Sequence, residues 1–418
     1  MTGIMGSANL LLAPFRGLRY ADAEALGQRL APPYDVITPA MRKDLVKQDL
    51  QNIVNLDLPS APPGEDPYAY AADLLDIWQR RGTLVREAEP SAYVLRTTST
   101  LADGRVMRRT GVFLAVAALP FTKGGRVRPH ERTHAGPKED RRKLTLATGC
   151  NLSPIFLLAP DSRGDIAATL EKVTREAPWA TAEALGGTHE VWIVRGPIAM
   201  RLSLLASDQQ LYIADGHHRY ETAVYLQEDR QLPKQLANGA KRTLAHVVSF
   251  KDPGLAILAT HRIVEGKPLS RSAVLKAANP YFARALPGQV PTLTAVFADG
   301  SEAAMMLRPD ADLSAATDLA AHPSVRSLAV AIADAVFIKL VVEPLLKRAP
   351  MLRYTPVESE AREASKEPKV ALSVLLPPTK IEEVQAVSDA GEFMPPKSTF
   401  FAPKVPTGIV MRPLEGEV

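Results

Sequence analysis

A single cysteine, Cys150, stands among 418 residues. That excludes an internal disulfide framework and any metal site built on several thiolates, and it fits a reducing, cytoplasmic setting. Long uncharged apolar runs are also missing. The most apolar stretch, SVRSLAVAIADAVFIKLVVEPLLKRA from Ser324, carries Arg326, Asp334, Lys339 and Glu343, so it reads as a buried helix and not as a membrane crossing. Nor is there a block of one charge. The 50 Lys and Arg are interleaved with 46 Asp and Glu, for a net charge of +4, which leaves no electrostatic footprint for a nucleic-acid partner. The opening MTGIMGSANLLLAPFRGLRY lacks a basic region ahead of its short apolar run and reads as a first strand, not a signal peptide.

What is present is the composition of a globular protein, with 46% apolar and 23% charged residues. The pattern alternates strands and helices in mixed order, so the expected class is α/β (mixed α+β) with mixed sheets. Three parts are expected: residues 1–110, an N-terminal α/β part; 111–270, a central part with the polar motifs; and 271–418, a C-terminal α/β part. Thr38 followed by Pro39 marks a helix start. Leu74, Leu75 and Trp78 share one helical face ahead of Gly82. Two strand-like runs flank Asp103-Gly104, the strongest hairpin signal in the chain. Thr379 and Glu382 stand at capping-box spacing before a helix. The FMPPKSTFFAPKVPTGIV segment after it leaves little room for another helix.

Chemistry concentrates at LYIADGHHRYETA, residues 211–223. An apolar run of strand type meets a helical pattern that places Tyr220, Ala223, Val224 and Gln227 on one face, so DGHHR is the strand-to-helix turn. Amides at a helix start precede the hydrogen-bond ladder and, with the helix dipole, favour an anion. Gly216 permits close approach to the backbone, and Arg219 can grip phosphate or carboxylate with two donors. His217 and His218 point in different directions, and one of them can donate a hydrogen bond or shuttle a proton. Asp215 can hold Mg²⁺ or fix a histidine tautomer. The plainer alternative is that Asp215 only caps the helix and the histidines only pack.

A second polar cluster, RPHERTHAGPKEDRRKLTLATGCNLSPIFLL, brings His130, Glu131, Thr133, His134, Lys138, Asp140 and Arg141 close in sequence. Gly136-Pro137 blocks the long helix that a zinc-protease motif needs, so zinc is not expected. The cluster is either a solvated surface loop or a working one. In the second case Glu131, with Asp140 behind it, is the base, and Lys138 and Arg141 neutralise phosphate charge.

The blocks PPYDVI, HERTHAGPKEDR with NLSPIF, ADGHHRYETA, THRIV and MPPKSTFFAPK run in order from Pro32 to Lys404 and together resemble the bacterial and archaeal domain-of-unknown-function family ten-fifteen (DUF1015). A wider resemblance covers about fifteen residues. The strand, Asp-Gly-His-x-Arg turn and helix are similar to the nucleotide-binding turn of the ParB/sulfiredoxin-like fold, which includes ParB proteins, sulfiredoxins and free serine kinases. In the serine kinases an Asp-Gly-His-Thr-Arg turn looks like Asp215 to Arg219, with His218 in place of the Thr. Sulfiredoxins carry a catalytic Cys beside the His-Arg pair, whereas here that position is not Cys, and sulfinic-acid reduction is not implied.

The residues and the resemblance together imply an enzyme that transfers or removes a phosphoryl group on a small hydroxyl metabolite, of serine-kinase type. His217 and Arg219 would take phosphate, with Gly216, His218, His130, Lys138 and Arg141 contributing. Asp215 would hold Mg²⁺ or orient a histidine, and Glu131 would be the base. Lys397 and Ser398 either close over the site or form an ordinary Pro-rich turn. Tyr34 and Asp35 either line the pocket or pack at a strand end. The expected partners are a small anionic metabolite or a nucleotide, ATP or ADP, and neither nucleic acid nor membrane. A phosphatase, a ParB-like nucleotide-operated switch and a non-catalytic anion binder remain as alternatives.

Overall fold

Strand and helix positions follow the chain's hydrophobic patterning. The computed structural model describes residues 10–101, 104–133 and 135–416. They form a mixed α/β protein that divides into two compact units, one of residues 1–129, 133–255 and 403–418, the other of 130–132 and 256–402.

The first unit is built on a nine-stranded sheet. Its strands are β1 (Leu12–Ala13), β2 (Ala92–Thr100), β3 (Val106–Ala117), β4 (Val127–Arg128), β5 (Ile155–Ala159), β6 (Ala180–Ala184), β7 (Gly187–Val194), β8 (Leu211–Asp215) and β9 (Arg242–Ser249). They lie in the order β4-β8-β5-β9-β3-β2-β7-β6, with β1 also on β3. β4 runs parallel to β8 and β5 parallel to β9; the remaining neighbours are antiparallel. The central strand IFLLA is buried at every position, as a strand covered on both faces must be. Leu114, Val116, Leu157, Ile213, Val247 and Tyr220 belong to one apolar cluster; full burial of such side chains contributes about 1.5–3 kcal/mol each.

The anticipated hairpin is present. β2 and β3 pair from Tyr93↔Phe113 to Thr100↔Val106, although Asp103 of the turn lies outside the described residues, as does His134. Thr38 accepts from Met41 N–H at 3.2 Å and Pro39 opens the helix Pro39–Gln48. Leu75 and Trp78 are buried in the helix Pro67–Arg80. Three helices carry the charged and polar groups of interest: α1 (Val54–Asp57), α2 (Ala135–Thr148) and α3 (His217–Leu226). On α3 the buried positions are His217, Tyr220, Thr222, Ala223 and Leu226. Gln227 is exposed, because it stands past the last turn and spends its amide on the Ala118 carbonyl.

Among the buried polar residues, a histidine in the sheet stands without a hydrogen-bond partner. His246 on β9 is 1% exposed, its ring centroid lies 4.6 Å from that of Phe113 and 5.9 Å from that of Phe156, and neither ring nitrogen has a hydrogen-bond partner. Burial, helped by the charge of Arg109, drives its pKa well below the ordinary histidine value. Below about pH 6.5 the unfolded chain takes up a proton that the folded chain refuses, so stability falls as pH drops through that value and is unaffected above it. His246→Leu should therefore compare more favourably with wild type at pH 5 than at pH 8 in urea unfolding. An equal difference at both pH values would refute this assignment.

The second unit holds a six-stranded antiparallel sheet in the order Phe282–Arg284, Glu302–Leu307, Leu293–Val296, Val370–Leu375, His261–Glu265, Leu352–Thr355. The apolar stretch from Ser324 is helical and largely buried, with Ala333–Val342 wound as a wider π-helix. Among the described residues no helix is long and apolar enough to cross a membrane. The helix Ile381–Ala390 begins one residue later than the capping-box spacing predicts. Its partner is Glu383, which accepts from Lys380 N–H at 2.8 Å, and Thr379 instead donates to the Ser398 carbonyl.

Candidate functional site

The turn after β8 requires glycine. Gly216 has φ +89°, a region glycine enters without steric cost, and a Cβ there would lie 3.0–3.1 Å from the guanidinium of Arg219. That guanidinium folds back over the turn. It donates from Nη2 to Asp215 Oδ2 at 2.9 Å and from Nη1 to the Pro154 carbonyl. Lys404 donates to the other oxygen, Asp215 Oδ1, at 3.0 Å. Burial alone would raise the Asp215 pKa, but Lys404, Arg219 and His217 outweigh it and hold the carboxyl at about 2. Asp215 is thus a fixed anion between two cations. With both oxygens engaged it does not fit the role of a Mg²⁺ ligand, and among the described residues no group of three His, Cys, Asp or Glu could hold a metal ion. His217 is buried and His218 half-buried on the first turn of α3.

A second charged group is assembled around α2. Arg141, 4% exposed, donates from Nη1 to the carbonyl and Oδ1 of Asp57 at 2.8 and 3.1 Å, donates from Nε to Asp140 Oδ2 at 2.7 Å, and lies 4.0 Å above the Tyr34 ring. Tyr34 belongs to a single short turn, Tyr34–Val36, that also carries Asp35. Asp140 accepts from the Tyr68 hydroxyl at 2.9 Å, so both of its oxygens are engaged. Lys138 is paired with Glu221 at 3.1 Å, and the Thr133 hydroxyl donates to the same carboxylate. Asp57, at the end of α1, is 2% exposed; its Oδ1 also accepts from Ser153 at 3.2 Å. Burial raises the Asp57 pKa more than Arg141, Arg219 and Ser153 lower it.

The two groups share a cavity of about 40 Å³, lined by Asp57, Arg141, Cys150, Ser153, Arg219 and Thr222 among other polar and apolar side chains. That is room for roughly three waters. Burial pushes the Cys150 thiol up to about 12, so it is protonated and offers no thiolate chemistry.

The remaining sequence candidates belong to the second unit. There His130 is buried, with Nε2 3.0 Å from Thr399 Oγ1, and its carbonyl accepts from Met394 N–H. Glu131 is half-buried in the adjoining loop. Lys397 is exposed with φ +57°; Ser398 is buried and donates to the Pro395 carbonyl at 2.7 Å. Three contributors escaped the sequence reading: Asp57, Ser153 and Lys404. Asp57 had one usable signal, a lone charge among Val54, Leu56 and Leu58. Lys404 closes the MPPKSTFFAPK block, but nothing local ties it to Asp215, 189 residues away.

Among known protein families, the one described as "Protein of unknown function (DUF1015)" matches residues 12–332. No curated protein matches. Among solved structures, a free serine kinase mutant in complex with AMP is 13% identical with a TM-score of 0.36, covering 72% of this chain and 92% of that one. A conserved hypothetical protein from Pyrococcus furiosus is 14% identical with a TM-score of 0.35, covering 72% and 94%. SbnI with a C-terminal truncation, from Staphylococcus aureus, is 13% identical with a TM-score of 0.36, covering 72% and 81%.

Proposed function

For this chain, which belongs to the DUF1015 family, we propose an enzyme of phosphoryl transfer that binds a phosphate or nucleotide, ATP or ADP, at the Gly216 turn and acts on a small hydroxyl metabolite. The observation that carries the reading is that Arg141 and Arg219, two guanidinium groups largely shielded from water, line one cavity beside the start of a helix. Cations held in a low-dielectric setting act on charge more strongly than in water. Phosphoryl transfer asks for little beyond positioning and neutralisation of the phosphoryl oxygens. A guanidinium carries five N–H donors, so the bonds of Arg219 to Asp215 and Pro154 leave donors to spare. Asp215 and Lys404 fix its direction, and the start of α3 adds the positive end of a helix dipole. His217, at the first position of α3, is the proton-carrying or donor group of this reading.

The test is a thermal-shift panel with ATP, ADP, CTP, pyrophosphate and phosphoserine, each with and without Mg²⁺, followed by phosphorus NMR of the reaction with L-serine. A ligand at about one hundred times its dissociation constant stabilises the fold by roughly 2.7 kcal/mol, so a clear rise in melting temperature is expected for at least one phosphoanhydride, with a phosphate ester forming or disappearing. No shift across the panel would reject the reading. A shift without turnover, under any pairing, would leave a binder and not an enzyme.

A further inference from the structure

Asp57 offers what the phosphate grip lacks, a carboxylate oxygen with nothing bound to it. Its Oδ1 is shared by Arg141 and Ser153, whereas its Oδ2 is buried and has no hydrogen-bond partner, and Asp57 lines the cavity of about 40 Å³ together with Arg219. A buried acceptor left unmatched carries the full cost of its desolvation, so a group that donates a hydrogen bond there removes a standing penalty. The cavity admits only about three water-sized positions, far less than a nucleotide, but enough for a hydroxymethyl end. Its polar lining can offer donors, from Arg141 and Arg219, and the acceptor Asp57.

We propose that this cavity receives the hydroxyl-bearing end of the phosphoryl acceptor, a small primary alcohol, and that Asp57 Oδ2 takes its proton. The inference rests on the phosphoryl-transfer reading and names its acceptor side. The alcohol O–H bond breaks and its proton passes to Asp57 Oδ2. The alcohol oxygen forms a bond to the terminal phosphorus of a phosphoanhydride, while the bond from that phosphorus to the bridging oxygen breaks and the leaving phosphate keeps the electron pair. Asp57 then releases the proton to solvent. Arg141, fixed by Asp57, Asp140 and the Tyr34 ring, holds the carboxylate in place and keeps it from rotating.

The experiment compares wild type with Asp57→Asn as full chains. It uses ATP, ADP and pyrophosphate as donors, and L-serine, glycerol and ethanolamine as acceptors. The amide keeps the shape and an oxygen for Arg141 but cannot accept the proton. Expected are an unchanged phosphoanhydride thermal shift, a loss of transfer of about 100-fold or more, in the range of general-base catalysis, and disappearance of the acid limb of the wild-type pH profile. Transfer within threefold of wild type with the acid limb intact would overturn the proposal and leave Asp57 as a structural partner of Arg141 over bound water. Should Asp57→Asn fail to fold, Cys150→Leu reads the same pocket from its wall. It is expected to raise KM for the alcohol about tenfold with the phosphoanhydride shift unchanged, and an unchanged KM would count against the pocket. A wild-type protein that binds phosphoanhydrides but transfers to none of these alcohols would reject the acceptor pocket alone; one that binds none of them would reject the phosphoryl-transfer reading as well.

Discussion

Arg219→Met should lower phosphoryl transfer by about 100- to 1,000-fold, the usual cost of removing one donor aimed at charge that develops in a transition state. Methionine keeps most of the side-chain length and bulk, so Gly216 and the cavity wall stay covered. What disappears is the guanidinium that lies over the turn, donates to Asp215 and Pro154, and lines the cavity. Asp215 retains Lys404 at 3.0 Å, which limits the stability loss to about 1.5–3 kcal/mol, the cost of hydrogen bonds to a charged group. The rate and the fold are therefore separable. The expected result is a chain that melts cooperatively a few degrees lower, shows a weakened or absent phosphoanhydride shift, and has almost no turnover. Turnover within tenfold of wild type would remove Arg219 from the chemistry and with it the main support for the phosphate site.

Arg141→Met should have the largest effect on stability, about 3–5 kcal/mol, because removing one partner of a buried pair leaves an uncompensated charge. Asp57 would then keep only the Ser153 hydroxyl at 3.2 Å in a site where burial already raises its pKa. The sign of the pH dependence is set by that proton. Without Arg141 the folded variant holds a proton on Asp57 at a pH where the unfolded chain has lost it, so the deficit grows as pH rises and shrinks as pH falls toward the ordinary carboxylate range. Urea unfolding at pH 5 and pH 8 checks both size and slope. The double variant Asp57→Asn with Arg141→Met should recover part of the loss, since the cycle isolates the pair. Strict additivity of the two changes would show that the pair does not interact.

The strand-to-helix turn was legible because its signals are local: an apolar run of five residues, a glycine where φ is +89°, and a helical repeat behind it. The same holds for Thr38-Pro39 and for the two strands of the β2–β3 hairpin. The fold class followed from the alternation of these elements. The charge pairing was not legible. DGHHR shows an arginine four residues after Asp215 but does not show that the carboxylate claims part of its guanidinium. Nor does the sequence show that Lys404 completes the group from 189 residues away, or that Arg141 reaches back 84 residues to Asp57. His130 to Arg132 read as one cluster with Lys138 to Arg141, yet they fall in the other compact unit. Pairings of this kind are set by the packing of whole elements, which periodicity and turn chemistry do not encode.

The first unit is completed by residues 403–416, made after all of residues 256–402. Those late residues bring Lys404 to Asp215, the Pro403 carbonyl to Arg109, and the Arg412–Pro413 strand to Cys150–Asn151. A chain still emerging from the ribosome at residue 402 therefore carries Asp215 with one cation in place of two, and the turn at Gly216 cannot reach its finished electrostatic state until residues 403–416 are made. Assembly of this charged group is deferred until translation has passed the second unit.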